Sequence, residues 1–230
     1  MLTGFESIDE WYQTPLGNVY LLRVGDKLNE LIKNMETGML ALDAGCGAGH
    51  YSLNLSDSFR TVGVDKSELL ISKAMSRMQN NEKNISFVVA DISSLPFPSN
   101  CFHLVTCLNV LEFVRSRKQA IKELKKVLAP DGILILGVCN KNSIWGLQKL
   151  VGKRFRGNDP FFNGTFFTKC DIVDLAEQEG FKLEQIVEEI YFPPIKNTAV
   201  AKLFETIAKR LFKSFPGIFI ASMKKKSGSI

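Results

Sequence analysis

The sequence predicts an α/β fold in which a mostly parallel sheet is doubly wound, with helices on both faces. Three observations predict it. From residue 38 on, short apolar runs alternate with amphipathic stretches, the pattern of repeated βα units. The runs at 39–43, 61–65, 85–90, 104–108 and 132–138 are almost continuously apolar, as strands covered on both faces must be. The first run leads directly into a turn with glycine at three alternating positions, Gly45, Gly47 and Gly49, before a helix-like segment at 50–55.

Each remaining element follows in order. Residues 1–35 read as a helical lead-in and lid. Leu21, Leu22, Leu28, Leu31 and Ile32 recur at helical spacing after a break at Pro15, Leu16, Gly17 and Asn18. Trp11 and Tyr12 upstream of that break suit either an aromatic cover over a ligand or packing of the lead-in onto the sheet. Ser67 caps a helix running to Met78, and a second helix covers 118–128, with Ile121, Leu124, Val127 and Leu128 on one face before Pro130, Asp131 and Gly132 stop it. Residues 141–167 read as an insertion over the top of the sheet. There Trp145, Leu147, Leu150, Val151 and Phe155 mix with Lys149, Lys153, Arg154 and Arg156, ahead of a loop holding Gly157, Asn158, Asp159 and Pro160. Thr168 and Asp171 form a capping box for a helix ending at Gly180, and the apolar run 217–223 is a closing antiparallel strand. Eleven of the 17 phenylalanines lie between Phe155 and Phe219, more aromatic area than a sheet edge requires. The expectation is one domain over 1–230: lead-in 1–35, core 38–138, insertion 141–167, and C-terminal helices and closing strands over 168–230.

Composition narrows the functional classes. At 230 residues, 45% hydrophobic and 23% charged, the chain can bury a sizeable core, which excludes disorder. Cys46, Cys101, Cys107, Cys139 and Cys170 are odd in number and widely spaced, so neither a disulfide framework nor a metal site is expected. A reducing, cytoplasmic setting fits. The acidic start (Glu6, Asp9, Glu10) does not suit a secretory signal, and the apolar stretch 215–223 is too short to span a bilayer. A net charge of +5 is too small to establish a nucleic-acid partner, so none is expected.

The chemistry concentrates in the glycine turn. Glycine there lets the backbone bend sharply and lets a ligand come close, while the helix start offers unpaired N–H donors. Asp65 ends the second strand 20 positions after Gly45, where a doubly wound sheet holds a carboxylate that accepts from both ribose hydroxyls. A dinucleotide fingerprint would require Gly or Ala at position 50, which is His50 here, so a nicotinamide ligand is disfavoured. Asp43 just before the loop would repel a pyrophosphate yet suits a ligand bearing an ammonium group.

These residues resemble class I S-adenosylmethionine-dependent methyltransferases, particularly the small-molecule branch that includes ubiquinone and menaquinone biosynthesis enzymes. Leu42-Asp43-Ala44-Gly45-Cys46-Gly47-Ala48-Gly49 is similar to that family's first motif, and Val62-Gly63-Val64-Asp65-Lys66-Ser67 to its second. Ala90-Asp91-Ile92 with Leu95-Pro96-Phe97 resembles its adenine segment. Phe102 to Cys107 with Asn109 to Phe113 resembles its fourth strand and following loop, and Leu128 to Leu134 its fifth-strand lead-in. The resemblance covers about residues 38–138 and implies a Rossmann-like, seven-stranded sheet binding S-adenosylmethionine, with S-adenosylhomocysteine as product. It implies that Gly45, Gly47 and Gly49 with nearby backbone hold the methionine end, with Asp43 ordering the loop or meeting the ammonium. Asp65 takes the ribose hydroxyls, Lys66 lines the adenosine, Asp91 and Ile92 bind adenine, and Asn109 closes over the methionine side. As the bland alternatives, Asp91 begins a turn with Ser93 and Ser94, and Asn109 is a loop former.

The chain departs from the family at Asn109 and Phe113, where relatives often carry histidine, and at His103, where they often carry Asp. No catalytic acid or base is assigned: His50 sits behind the glycine loop and His103 at a strand start. Displacement from a sulfonium needs chiefly a dry pocket that holds the nucleophile about 3 Å from the methyl carbon. A substrate that must lose a proton would draw on Tyr12, Glu112 or Tyr191, or ionise by itself. The expected function is methyl transfer to a small, partly apolar molecule. The rival readings are a nucleic-acid or protein methyltransferase, an NAD(P)-dependent oxidoreductase and a non-catalytic binder of the same cofactor.

Overall fold

The computed structural model describes residues 4–78, 84–152, 164–192 and 215–226. The sequence-derived loop at 157–160 and residues 193–214 of the C-terminal segment lie outside these. Among the described residues seven strands form one sheet. They are β1 (Leu40–Ala44), β2 (Arg60–Asp65), β3 (Ile85–Val89), β4 (Phe102–Leu108), β5 (Leu128–Cys139), β6 (Phe181–Glu189) and β7 (Ile218–Lys225), in the order β3-β2-β1-β4-β5-β7-β6. β1 to β5 are parallel, and β7 runs antiparallel to both its neighbours. The helices are α1 (Gly4–Tyr12), α2 (Pro15–Ile32), α3 (His50–Leu55), α4 (Glu68–Met78), α5 (Arg117–Val127), α6 (Ile144–Gly152) and α7 (Lys169–Gln178), with a 3-10 turn at Leu111–Phe113. None of these helices is long and apolar enough to cross a membrane.

Strand alternation divides the core into two layers. Leu42, Ala44, Val105, Cys107, Leu134 and Leu136 face one side, packed with Ile121 and Leu124 of α5 and Ile172 and Ala176 of α7. Ala41, Leu104, Leu108, Ile135, Ile218 and Ile220 face the other, packed with α2 and α3. The Rossmann-like, doubly wound α/β class is therefore present, antiparallel C-terminal strand included.

Three local features refine the sequence reading. The lead-in does break, at Gln13 and Thr14 between α1 and α2, and Pro15 stands just after the break. It is the first residue of α2, where its missing N–H costs nothing, and Thr14 caps the helix by accepting from Gly17 N–H at 3.1 Å. The buried stripe is consequently Leu16, Tyr20, Val24, Leu28 and Ile32 at four-residue spacing, leaving Leu22 60% exposed. β5 begins at Leu128, directly after α5. Its register against β4 shifts between the pairs Phe102–Leu128 and Leu104–Ile133, which accommodates Pro130 outside the regular ladder. β6, at one edge of the sheet, mixes polar and apolar residues, whereas β3 at the other edge runs mostly apolar. Lys182, Glu184 and Gln185 on β6 are exposed and blunt its edge. The capping box of α7 is complete: Asp171 N–H donates to Thr168 Oγ1 at 3.2 Å and Thr168 N–H to Asp171 Oδ2 at 2.6 Å.

Leu124 is fully buried between α5 and the sheet. Leu124→Ala is expected to cost about 2–5 kcal/mol of folding free energy, read from the shift of a urea or guanidinium unfolding midpoint at unchanged slope.

Candidate functional site

The strand order reverses between β1 and β4, and ligands of open α/β sheets bind outside the carboxyl ends of the strands at such a point. A cavity of about 560 Å³ opens there. Its floor and walls are the glycine loop at 45–48, residues 65–67 after β2, 91–93 after β3, and 108–110 with 113–116 after β4. Ile8, Asp9 and Tyr12 of α1 cover it, and His50 and Tyr51 of α3 close one side.

The loop geometry explains two of the glycines. Gly45 and Gly47 have φ of +80° and +54°, in the region side chains rarely adopt. A Cβ on Gly45 would come within 2.3 Å of Val110, so the protein itself requires glycine there. A Cβ on Gly47 would meet no protein atom within 4 Å: the space it would fill belongs to the cavity. Gly49 does not line the cavity. It caps α3, and a Cβ on it would press on Ala74 and Phe87 at 3.0 Å, so it serves packing between helices and sheet.

The carboxylates divide their tasks. Asp43 is buried beneath the loop and does not line the cavity. It accepts from Ser52 Oγ at 2.5 Å and Thr106 Oγ1 at 2.8 Å, tying β1 to α3 and β4. Burial pushes its carboxyl up, against the pull of the two hydroxyls. Of the two roles read for it, this position serves the ordering of the loop. Asp65 does line the cavity. Gly47 N–H donates to its Oδ2 at 3.0 Å and Ser67 N–H to its Oδ1 at 2.9 Å, so the carboxylate is aimed by backbone and keeps lone pairs for further donors. Asp91 is exposed at the wall and also accepts from Ser93 N–H at 2.7 Å, with Ser94 N–H bonding its carbonyl at 2.9 Å: the turn and the wall position coexist. Ile92 is buried beside it and Lys66 lies exposed at the rim.

Asn109 ends β4 with φ of +57°, a left-handed conformation Asn tolerates better than most residues. Its Oδ1 accepts from Tyr20 Oη–H at 3.1 Å, and its Nδ2 lies 3.5 Å from Cys139 Sγ. Behind it Glu112 is 2% exposed; its Oε1 accepts from Cys139 N–H at 2.7 Å. Glu112 Oε2 and Tyr51 Oη are buried with no hydrogen-bond partner among the described residues. Burial pushes the Glu112 carboxyl up, outweighing the nearby donors.

The candidate bases separate. Tyr12 lines the cavity; Glu112 and Tyr191 do not. His103 is exposed at the amino end of β4, the end opposite the cavity. His50 lines the cavity but is committed to Asp9, and burial lowers its affinity for a proton. Of the residues singled out from sequence, Gly45, Gly47, Asp65, Lys66, Asp91, Ile92 and Asn109 come together at the cavity. Sequence reasoning did not identify Asp9, Lys73 or Arg77 as a group. Lys73 and Arg77 stand four residues apart on α4, but they lie 64 and 68 positions from Asp9, and no local pattern joins them to it. The cover was expected from residues 1–35 together with the insertion, and α1 of the lead-in lines the cavity. Among residues 141–152 and 164–167, none lines the cavity; Trp145 anchors α6 into the core instead, donating to Phe192 O at 2.9 Å.

A folded-state carboxyl held above its ordinary value is destabilising while ionised, and stability returns as pH falls through the raised value. Glu112→Gln keeps an acceptor for Cys139 N–H and removes the titration. Its melting temperature is expected to equal or exceed wild type near about pH 8, with the difference shrinking toward about pH 5, measured by differential scanning fluorimetry.

Comparison with known proteins places this geometry. Residues 42–136 match the family model described as a methyltransferase domain. A ubiquinone biosynthesis O-methyltransferase of Coxiella burnetii is 30% identical over 167 residues, covering 70% of this chain and 70% of that protein. An uncharacterised protein of Methanocaldococcus jannaschii is 32% identical over 200 residues, covering 83% and 80%. Among solved structures, the magnesium protoporphyrin IX methyltransferase of Synechocystis with bound S-adenosylhomocysteine superposes with a TM-score of 0.64 at 20% identity, over 89% of this chain and 83% of that one. The chain belongs to the class I S-adenosylmethionine-dependent methyltransferases.

Proposed function

We propose that this protein transfers the methyl group of S-adenosylmethionine to a small, partly apolar molecule by in-line displacement, within a single domain. The observation that carries this reading is the shape of the cavity. One end is polar, bounded by Asp65, Asp91 and Lys66 after β2 and β3; the other, after β4, is walled by Tyr12, Tyr51, Leu108 and Asn109. The ubiquinone relative and the porphyrin methyltransferase of like fold support a small acceptor by analogy.

The residues fit the cofactor. The volume lies in the range of small-molecule sites, and the space beside Gly47 is left for a ligand rather than for side chains. Asp65, already aimed by two backbone N–H groups, accepts the ribose hydroxyls. Asp91 accepts from the exocyclic amine, and the Ile92 backbone with its buried side chain borders the ring. Lys66 lines the adenosine. Gly45 and Gly47 let the backbone approach the methionine end, and Asn109 closes that end from β4. Asp43 and Gly49 act one layer back, holding the loop that does the binding. When bound, the cofactor supplies an electrophilic methyl on a sulfonium. The chain's own contribution is to position the acceptor and exclude water, which α1 and the aromatic wall achieve. No side chain is assigned as base.

Calorimetric titration with S-adenosylhomocysteine tests the site: wild type binds, and Asp65→Ala weakens binding by more than about 1 kcal/mol, roughly fivefold, with the fold retained by circular dichroism. Gly47→Val abolishes binding by filling ligand space. Unchanged affinity in both variants would remove the site from this cavity. Incubation with methyl-labelled cofactor and either a small-molecule extract or oligonucleotides is expected to label the former; label on nucleic acid at low salt would favour the nucleic-acid methyltransferase reading.

A further inference from the structure

The cover over the cavity is built differently from its floor. Helix α1 has nine residues, shorter than helices that persist alone in water, so tertiary contacts hold it in place. At its carboxyl end those contacts are a tight corner. Thr14 N–H and Oγ1–H both donate to Trp11 O, at 3.0 and 2.7 Å, and a Cβ on Gly17 would come within 2.0 Å of the same carbonyl. Trp11 packs edge-on against Tyr20 and Trp145, with ring centroids 5.5 Å apart in each case. One turn farther from the corner, Asp9 lines the cavity and meets α3 and α4. Its carboxylate, 4% exposed, is held by His50 Nε2 at 3.0 Å, Lys73 Nζ at 3.2 Å and Arg77 at 2.9 Å, on α3 and α4. Arg77 also donates to Ala48 O at 2.5 Å, and Ala48 belongs to the glycine loop that lines the cavity.

We propose that Asp9 is the latch of an N-terminal lid: its carboxylate clips α1 over the cavity onto α3 and α4, and its release governs how fast the cofactor and its product leave. This rests on the cofactor occupying the cavity described above. The physical basis is the balance peculiar to buried ion clusters. Burying the Asp9 carboxylate costs much of what its attraction to the part-exposed Lys73 and Arg77 returns, whereas a buried apolar seam has no such offset. The cluster therefore specifies where the lid sits while letting it lift, since every group it exposes is readily hydrated. Because Arg77 bonds both Asp9 and Ala48, one side chain links the lid to the glycine loop. Asp9 is thus a positioning residue rather than a catalytic one.

The test uses the full chain and two independent readouts. Stopped-flow displacement measures the S-adenosylhomocysteine dissociation rate. Tryptophan emission and hydrogen exchange over residues 4–12 report the lid without ligand, because both of the chain's two tryptophans, Trp11 and Trp145, lie at the corner. Asp9→Asn is expected to raise the dissociation rate by about tenfold or more, shift emission to the red and remove exchange protection in α1, while Asp9→Glu restores part of each. Arg77→Met attacks the latch from the other side. It is expected to reproduce the effect and to be non-additive with Asp9→Asn. Wild-type dissociation and emission in folded Asp9→Asn and Arg77→Met would overturn the proposal. Failure of wild type to bind S-adenosylhomocysteine would overturn the site reading and the release-rate claim, while emission and exchange still decide the latch.

Discussion

The site depends on one backbone turn, the bend by which β1 becomes α3, and on the two carboxylates that pin it. Gly45 and Gly47 adopt left-handed conformations, a shape a free chain would not keep, and the N–H groups of Gly45 and Cys46 both donate to Val64 O. Asp43 holds the turn from beneath through Ser52 and Thr106, and Asp65 holds it from the side through Gly47 N–H. Burying Asp43 costs free energy, and its raised proton affinity is the sign of that cost. The expense is localised at the junction of β1, β4 and α3, where the strand order reverses and the cavity opens.

From that junction the cavity extends past Asp65 and Asp91 on one side and past Leu108, Asn109, Phe113, Arg115 and Ser116 on the other. At the other end Tyr20, Asn109, Cys139 and Glu112 form a buried chain of polar groups behind an aromatic wall.

The cover contrasts with this floor. The floor's charges are met by backbone N–H groups and hydroxyls within single loops. The lid's charge is met by side chains from two other helices. For Asp9, burial raises the carboxyl's proton affinity, but His50, Arg77 and Lys73 outweigh it and hold the group ionised. An ionised carboxylate in so little solvent persists only with such partners, which is why the clasp is geometrically definite.

Much of this was legible in the order of residues. Apolar runs marked the five parallel strands, since strands packed between helices are mostly apolar. Alternating glycines specified the turn, since few other residues tolerate it. The 20-residue step to Asp65 follows from the length of one helix and one strand. β6 escaped that criterion because it mixes polar and apolar residues, and Pro15 was ambiguous because the same ring that breaks a helix interior is welcome at its first turn. What tertiary structure alone decided concerns partners distant along the chain. Asp43 lies under the loop rather than in the cavity, α1 rather than the described part of the insertion covers the site, and Asp9 meets His50, Lys73 and Arg77. Sequence periodicity encodes which face of an element is buried; it does not encode which charged group on one buried face meets which on another, because that match exists only once the helices are packed.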